Sequence, residues 1–236
     1  MSKLGELRVE LERAEDAAAC FSVAEKSLEL LALALQCIEA LRRGKPANHV
    51  AFGEAIAILA AFGLLDAAFG SIARSYQPAA AARLTALLAE AVGPDGLIGG
   101  QAADLLATDQ QITFEMLERI HRGKTGALFS AAATAGAVTA EGSPESIAAL
   151  QAFAKNLGLA FQIIDDLLDV EGNPELTGKP IREDLKKTTF VSFSGPRGAR
   201  QLAGELCQTA ESALVSFGRR AGRLRELSAF VAGRMS

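Results

Sequence analysis

Three acids stand close together in the segment FQIIDDLLDV: Asp165, Asp166 and Asp169. Spacings of three and four residues put all three carboxylates near one face of a helix. Like charges crowded in this way repel unless a cation lies between them. Magnesium suits the position, because it takes hard oxygen ligands, keeps several waters and is commonly shared between carboxylates and substrate phosphates. The acids therefore predict a magnesium site facing a diphosphate. A DDxxD run standing alone is as readily a solvated helix end, but here Phe161, Ile163, Ile164, Leu167 and Leu168 flank it and suit a lined cavity.

Cations form the second constellation. Arg42, Arg43 and Lys45 share one loop, Lys124 stands beside Thr125 in GKTGALF, and Lys179, Lys186 and Lys187 follow the acids. Each group has the chemistry to clamp phosphate oxygens, although a single helix-terminal arginine or loop lysine is usually only solvated. The GKT triplet lacks the upstream glycine and strand of a P-loop. Gln162, just before the acids, can hydrogen-bond a ligand or a neighbouring backbone group. His49 and His121 are isolated from any other potential metal ligand and read as structural or surface residues.

Positioning these groups falls to helices. Half of the 236 residues are hydrophobic, tryptophan is absent, and β-branched runs are scarce. That composition favours helices packed on helices, with essentially no strand, in a single domain spanning 1–236. Expected helices cover 4–15, 22–43, 51–74, 79–92, 101–106, 114–138, 145–170, 197–217 and 221–234. Gly99 and Gly100 extend the loop that begins at Gly93, Thr113 is the expected N-cap of the sixth helix, and 171–189 is expected to be loop.

The net charge of −4, with both signs interspersed, argues against a nucleic-acid partner, which calls for a basic stripe. Cys20, Cys37 and Cys207 show no metal-ligand spacing, and the charged start MSKLGELRVELERAED does not resemble a signal peptide, so a reducing cytoplasm is expected. The longest apolar stretch, Glu54 to Asp66, is too short for a membrane span and is expected to be a buried core helix.

Read in order, RRGKPANH (42–49), GPDGLIGGQAADL (93–105), KTGALF (124–129), FQIIDDLLD (161–169), TGKP (177–180) and KKTTF (186–190) resemble the trans-prenyltransferases, the family of farnesyl and geranylgeranyl diphosphate synthases. The resemblance runs from about residue 40 onward. It implies an all-α, isoprenoid-synthase-type helical bundle, usually dimeric, that uses Mg2+ and isoprenoid diphosphates. By motif match Asp165, Asp166 and Asp169 are similar to the family's second aspartate-rich motif, and Arg42 and Arg43 to the arginines beside its two diphosphates. Lys124, Thr125, Gln162 and Lys179 match allylic-diphosphate contacts, the first three forming the implied catalytic set, and Lys187 matches a further phosphate contact.

Two family features are missing from the sequence as it stands. The family carries a first aspartate-rich motif immediately before RRG, where this chain reads LALALQCIEALRRG with Glu39 nearby, and the family's glycine-lysine-arginine segment for isopentenyl diphosphate is absent. Ionising an allylic diphosphate is helped by charge neutralisation from both sides, so losing one side raises the barrier by several kcal/mol. Three functions follow as expectations. The first is a synthase that condenses isopentenyl diphosphate with an allylic diphosphate, impaired or not. The second is a non-catalytic or regulatory subunit of a heteromeric prenyl diphosphate synthase, paired with a complete one. The third is a terpene cyclase of the same fold.

Overall fold

The computed structural model describes residues 41–42, 45–171 and 187–234. The helices expected at 4–15 and 22–43, and most of the loop expected at 171–189, lie outside the described residues. The described helices are α1 (Asn48–Phe52), α2 (Glu54–Ser75), α3 (Pro78–Val92), α4 (Leu97–Leu106), α5 (Phe114–His121), α6 (Ala127–Thr139), α7 (Pro144–Glu171), α8 (Phe190–Ala213) and α9 (Gly222–Gly233). A π-helical turn, Arg122–Gly126, joins α5 to α6, and a 3-10 segment, Val215–Ala221, joins α8 to α9. The chain is all-α. Two short extended pieces, β1 (Leu41–Arg42) and β2 (Lys45–Pro46), pair with each other and form the one ladder among the described residues.

Four expected elements differ from the observed ones. The helix expected at 51–74 is broken at Gly53, whose φ of 83° is open to glycine and strained for other residues. The expected loop at Gly99 and Gly100 is helical, with α4 beginning at Leu97. The two glycines serve close packing: a Cβ on Gly99 would lie 1.6 Å from Pro94 O, and one on Gly100 would lie 2.1 Å from Lys124 N. The helix expected at 114–138 is interrupted by the π turn. Finally, α8 starts at Phe190 rather than 197, because Thr189 and Ser192 form a capping box; Gly195, at φ 68°, and Pro196 kink the helix where the sequence suggested a start.

The residues group into two compact units. Among the described residues, the first is built from Pro46–Ala89 and Ala131–Ala148 and buries Ala57, Ala68, Ile72, Leu84 and Leu88. In this unit α2 is not the buried core helix its composition suggested. Ile56, Ile58, Leu59 and Phe62 are all exposed, and the helix extends over 22 residues. Both α2 and the Pro144–Val170 part of α7 are long and apolar enough, by length and composition, to cross a bilayer.

The second unit takes Leu41–Lys45, Glu90–Ser130 and the residues from Ala149 onward. Its α7 contributes Leu157, Ala160, Ile163 and Ile164 at helical spacing, all fully enclosed, with Phe190, Ala199, Ala203 and Ala210 of α8 and Leu214 also buried. Small residues on α8 allow helices to approach closely, and Phe190 brings bulk at its first turn. The candidate site lies within this unit.

Candidate functional site

The short distances in the second unit begin with glycine. Gly100 of α4 and Gly123 of the π turn meet backbone to backbone, and a Cβ on Gly123 would lie 3.1 Å from Gly100 Cα. With α4 held against the turn, Asp104, one helical turn beyond Gly100, reaches Lys124. The lysine Nζ donates to Asp104 Oδ2 at 2.8 Å, and Lys187 Nζ donates to the same oxygen at 3.0 Å. Two ammonium groups thus converge on one carboxylate, whose side chain is 11% exposed while each lysine keeps about a third of its surface open. Burial pushes the Asp104 carboxyl up, but Lys124 and then Lys187 outweigh it and hold the group below its ordinary value of 3.8.

A second chain of hydrogen bonds runs through α7. Thr125 Oγ1 donates to Gln162 Oε1 at 3.1 Å, and Gln162 Nε2 donates to Asp166 Oδ1 at 3.2 Å. The other oxygen of Asp166 accepts from Phe190 N at 3.0 Å, at the first residue of α8. Helix starts carry unsatisfied N–H groups and a partial positive charge, which suits a carboxylate there. Asp166 is accordingly 5% exposed. The loop before α8 is tied down as well, since Thr188 Oγ1 donates to Gln110 O at 3.1 Å.

Asp165 is placed differently. Its Oδ1 lies 2.7 Å from Arg234 Nη2, with both side chains about one-third exposed, and the Arg234 guanidinium stands 4.8 Å from the centre of the Phe161 ring. The carboxylate has drawn in a cation. Phe129 packs 5.7 Å from Phe161, while Phe114 meets both Phe190 and Phe193 edge-on and His121 lies 5.4 Å from Phe190.

The structure brings together Lys124, Thr125, Gln162, Asp166 and Lys187. Asp165 and Asp169 stand on the same helix, half-buried. Arg42 lies in β1, while Arg43, Lys179 and Glu39 lie outside the described residues. Asp104 went unrecognised in the sequence. It stands inside the GPDGLIGGQAADL motif, and the available signal was an acid four residues after a glycine pair, which places it over the close contact.

Magnesium fits the donor set in chemistry. Asp165 offers hard oxygen in a position already occupied by a cationic group, and Asp169 follows four residues on. Among the described residues no three His, Cys, Asp or Glu side chains converge on one point. A magnesium ion here would therefore draw much of its coordination from water and phosphate oxygens, which suits an ion that dehydrates reluctantly.

Comparison with known proteins identifies the family. The family profile for polyprenyl synthetase matches residues 39–195. Farnesyl diphosphate synthase of Geobacillus stearothermophilus is 44% identical over 167 residues, covering 68% of this chain and 56% of that protein. The chain thus spans little more than half the length of that relative. Among solved structures, an FPP/GFPP synthase from Zymomonas mobilis in its apo form superposes with a TM-score of 0.79 at 33% identity, over 93% of this chain and 76% of that one. Geranyltransferase from Helicobacter pylori, complexed with magnesium and isoprenyl diphosphate, gives 0.77 at 26% identity, over 98% and 77%. Motif order, helical architecture and sequence identity converge: the chain belongs to the polyprenyl synthetase family.

Proposed function

We propose that the protein is a single-domain prenyltransferase that condenses isopentenyl diphosphate with an allylic diphosphate in the cytoplasm, as a dimer and with magnesium. The observation that carries this reading is the convergence of Lys124 and Lys187 on one oxygen of Asp104, in the unit that also holds the DDLLD run. Two ammonium groups held this close, yet partly open, form a receptor for the paired charges of a diphosphate. Asp104 limits the freedom of both lysines, so little ordering is left for the substrate to impose.

Thr125 and Gln162, hydrogen-bonded to each other beside Lys124, are further contacts for the diphosphate in this reading. Arg42, Arg43 and Lys179 complete the phosphate contacts in this reading, and Asp165, Asp166 and Asp169 form the acidic face. When bound, magnesium supplies positive charge against the leaving diphosphate. The chain's own residues bind the diphosphate and fix its direction. The allylic C–O bond breaks, a C–C bond forms to the isopentenyl double bond, and the released diphosphate takes the proton.

The sequence before RRG favours a second reading. With no aspartate pair at LALALQCIEALRRG, the chain serves as a non-catalytic subunit that binds and modulates a complete synthase. A terpene cyclase of the same fold gives a different product from the same allylic diphosphate. The deciding experiment is turnover of the purified protein with isopentenyl diphosphate, dimethylallyl, geranyl or farnesyl diphosphate and magnesium, beside Asp165→Ala. Magnesium-dependent chain elongation that the substitution abolishes supports the synthase. Cyclised product supports the cyclase, and a folded protein without product supports the subunit.

A further inference from the structure

In DDLLD, both oxygens of Asp166 are matched to N–H donors of the protein, Gln162 Nε2 at 3.2 Å and Phe190 N at 3.0 Å. It is also enclosed, at 5% exposure. From this we infer that Asp166 is a positioning residue, a latch between α7 and the first turn of α8, and not a ligand for magnesium.

The latch acts in two directions. Toward α8, it satisfies the first N–H of the helix while Thr189 caps Ser192 N, so the start of α8 is fixed from two sides. Lys187 lies three residues upstream, and a fixed helix start sets where its ammonium falls on Asp104. Toward α7, the carboxylate accepts only from the NH2 end of the Gln162 amide, which turns Oε1 to the Thr125 hydroxyl. The contacts close into a ring: Lys124 to Asp104, Asp104 to Lys187, along the chain to Phe190, then Asp166, Gln162 and Thr125 beside Lys124. Breaking the ring at Asp166 loosens both lysines without touching either.

A ligand role makes opposite demands. A metal would need a carboxylate open to water and phosphate, whereas Asp166 faces the helix start and the Gln162 amide. Its neighbour Asp165 is half-buried instead and faces a cation, with Arg234 Nη2 2.7 Å from its Oδ1. This assignment rests on the reading that the site binds magnesium and diphosphate, and its test separates the two.

Asp166→Asn keeps a carbonyl oxygen for Phe190 N–H and, with the Gln162 amide turned over, an N–H for Gln162, while removing the charge. Asp166→Ala removes both contacts. Amide hydrogen exchange of the first turn of α8 reads the latch, and Mn2+ titration with inorganic diphosphate, followed by paramagnetic resonance, reads the metal. Asp166→Asn should leave exchange, Mn2+ affinity and diphosphate affinity within about threefold of the parent, whereas Asp166→Ala should speed exchange and weaken diphosphate by about tenfold each. Asp165→Asn should weaken Mn2+ at least about tenfold and leave α8 exchange alone. The proposal is overturned if Asp166→Asn weakens Mn2+ as strongly as Asp165→Asn, or if either Asp166 variant contradicts its expected exchange. Should no protein bind Mn2+, the magnesium reading fails and the exchange data still decide the latch. Should Asp166→Ala not fold, the Asn variant decides it through both readouts.

Discussion

Helices α4 and α2 have similar compositions and opposite circumstances. In the second unit, α4 is pressed onto the π turn through Gly100 and Gly123, with no side chain between the backbones, and carries a buried acid that holds two lysines. In the first unit, α2 is more apolar yet leaves Leu59 and Phe62 about two-thirds exposed. Apolar composition thus does not set which helix is tightly held. Small residues at a backbone contact, followed one turn later by a charge with partners, mark the helix of the proposed diphosphate site.

The sharpest break of that contrast is Gly100→Ala. Alanine gains up to about 1 kcal/mol of helix propensity over glycine, but its Cβ would stand 2.1 Å from Lys124 N and 2.7 Å from Gly123 C, both backbone atoms. Overpacking costs roughly 1–3 kcal/mol and more where backbone must shift, so the clash outweighs the propensity gain. The expected net loss is about 2 kcal/mol, or roughly 4–8 °C in Tm for a chain of this size, with weakened diphosphate binding as Lys124 is displaced. The same substitution at Gly63 of α2, where nothing lies within 4 Å of a built Cβ, should raise Tm slightly. Thermal melts of the two variants check the pair.

Asp104→Asn should come next in size, and its effect should depend on pH. The folded Asp104 carboxyl sits below its ordinary value of 3.8, because its lysines outweigh its burial. A depressed carboxyl contributes stability that is full above the unfolded value, near pH 4, and is lost as pH falls through the folded one. Removing the charge should therefore cost about 2 kcal/mol at pH 7, and the gap to the parent should close in acid, once the pH lies below the folded value. Urea melts at pH 7 and in acid measure it. A gap that persists in acid would mean that Asp104 acts through packing and not through its charge.

These two residues also show what the sequence could and could not disclose. The acids of α7, Lys124, Thr125, Gln162 and Lys187 were legible because their types, spacing and order carry the family's motifs. Helix α7 was legible almost to the residue, since a long apolar period between Pro144 and the acids has no competing signal. Gly99 and Gly100 were read as loop because glycine disfavours an isolated helix, and only the neighbouring backbone reveals the contact they permit. The same holds for Asp104, whose partners lie 20 and 83 residues away. Asp165 and Asp166 look alike in sequence. What separates them is whether a helix start or an arginine faces them, and that is a matter of tertiary position.

The smallest effect on folding is expected where α2 is most exposed. Ile56, Leu59 and Phe62 recur every third residue and so lie along one side of the helix, and Gly63 beside them has open space around it. Replacing Leu59 and Phe62 together with glutamine removes little that the chain itself buries, so the unfolding free energy should stay within about 0.5 kcal/mol per site of the parent. An apolar stripe of this kind is nonetheless expensive to leave in water, and the proposed dimer gives it a cover. Sedimentation velocity should then show the parent as a dimer and the double variant shifted toward monomer at equal concentration, with the α4 contact and the lysine pair undisturbed. If the two proteins sediment alike while both melt normally, the stripe is not the dimer surface, and the contrast between α2 and α4 is one of exposure alone.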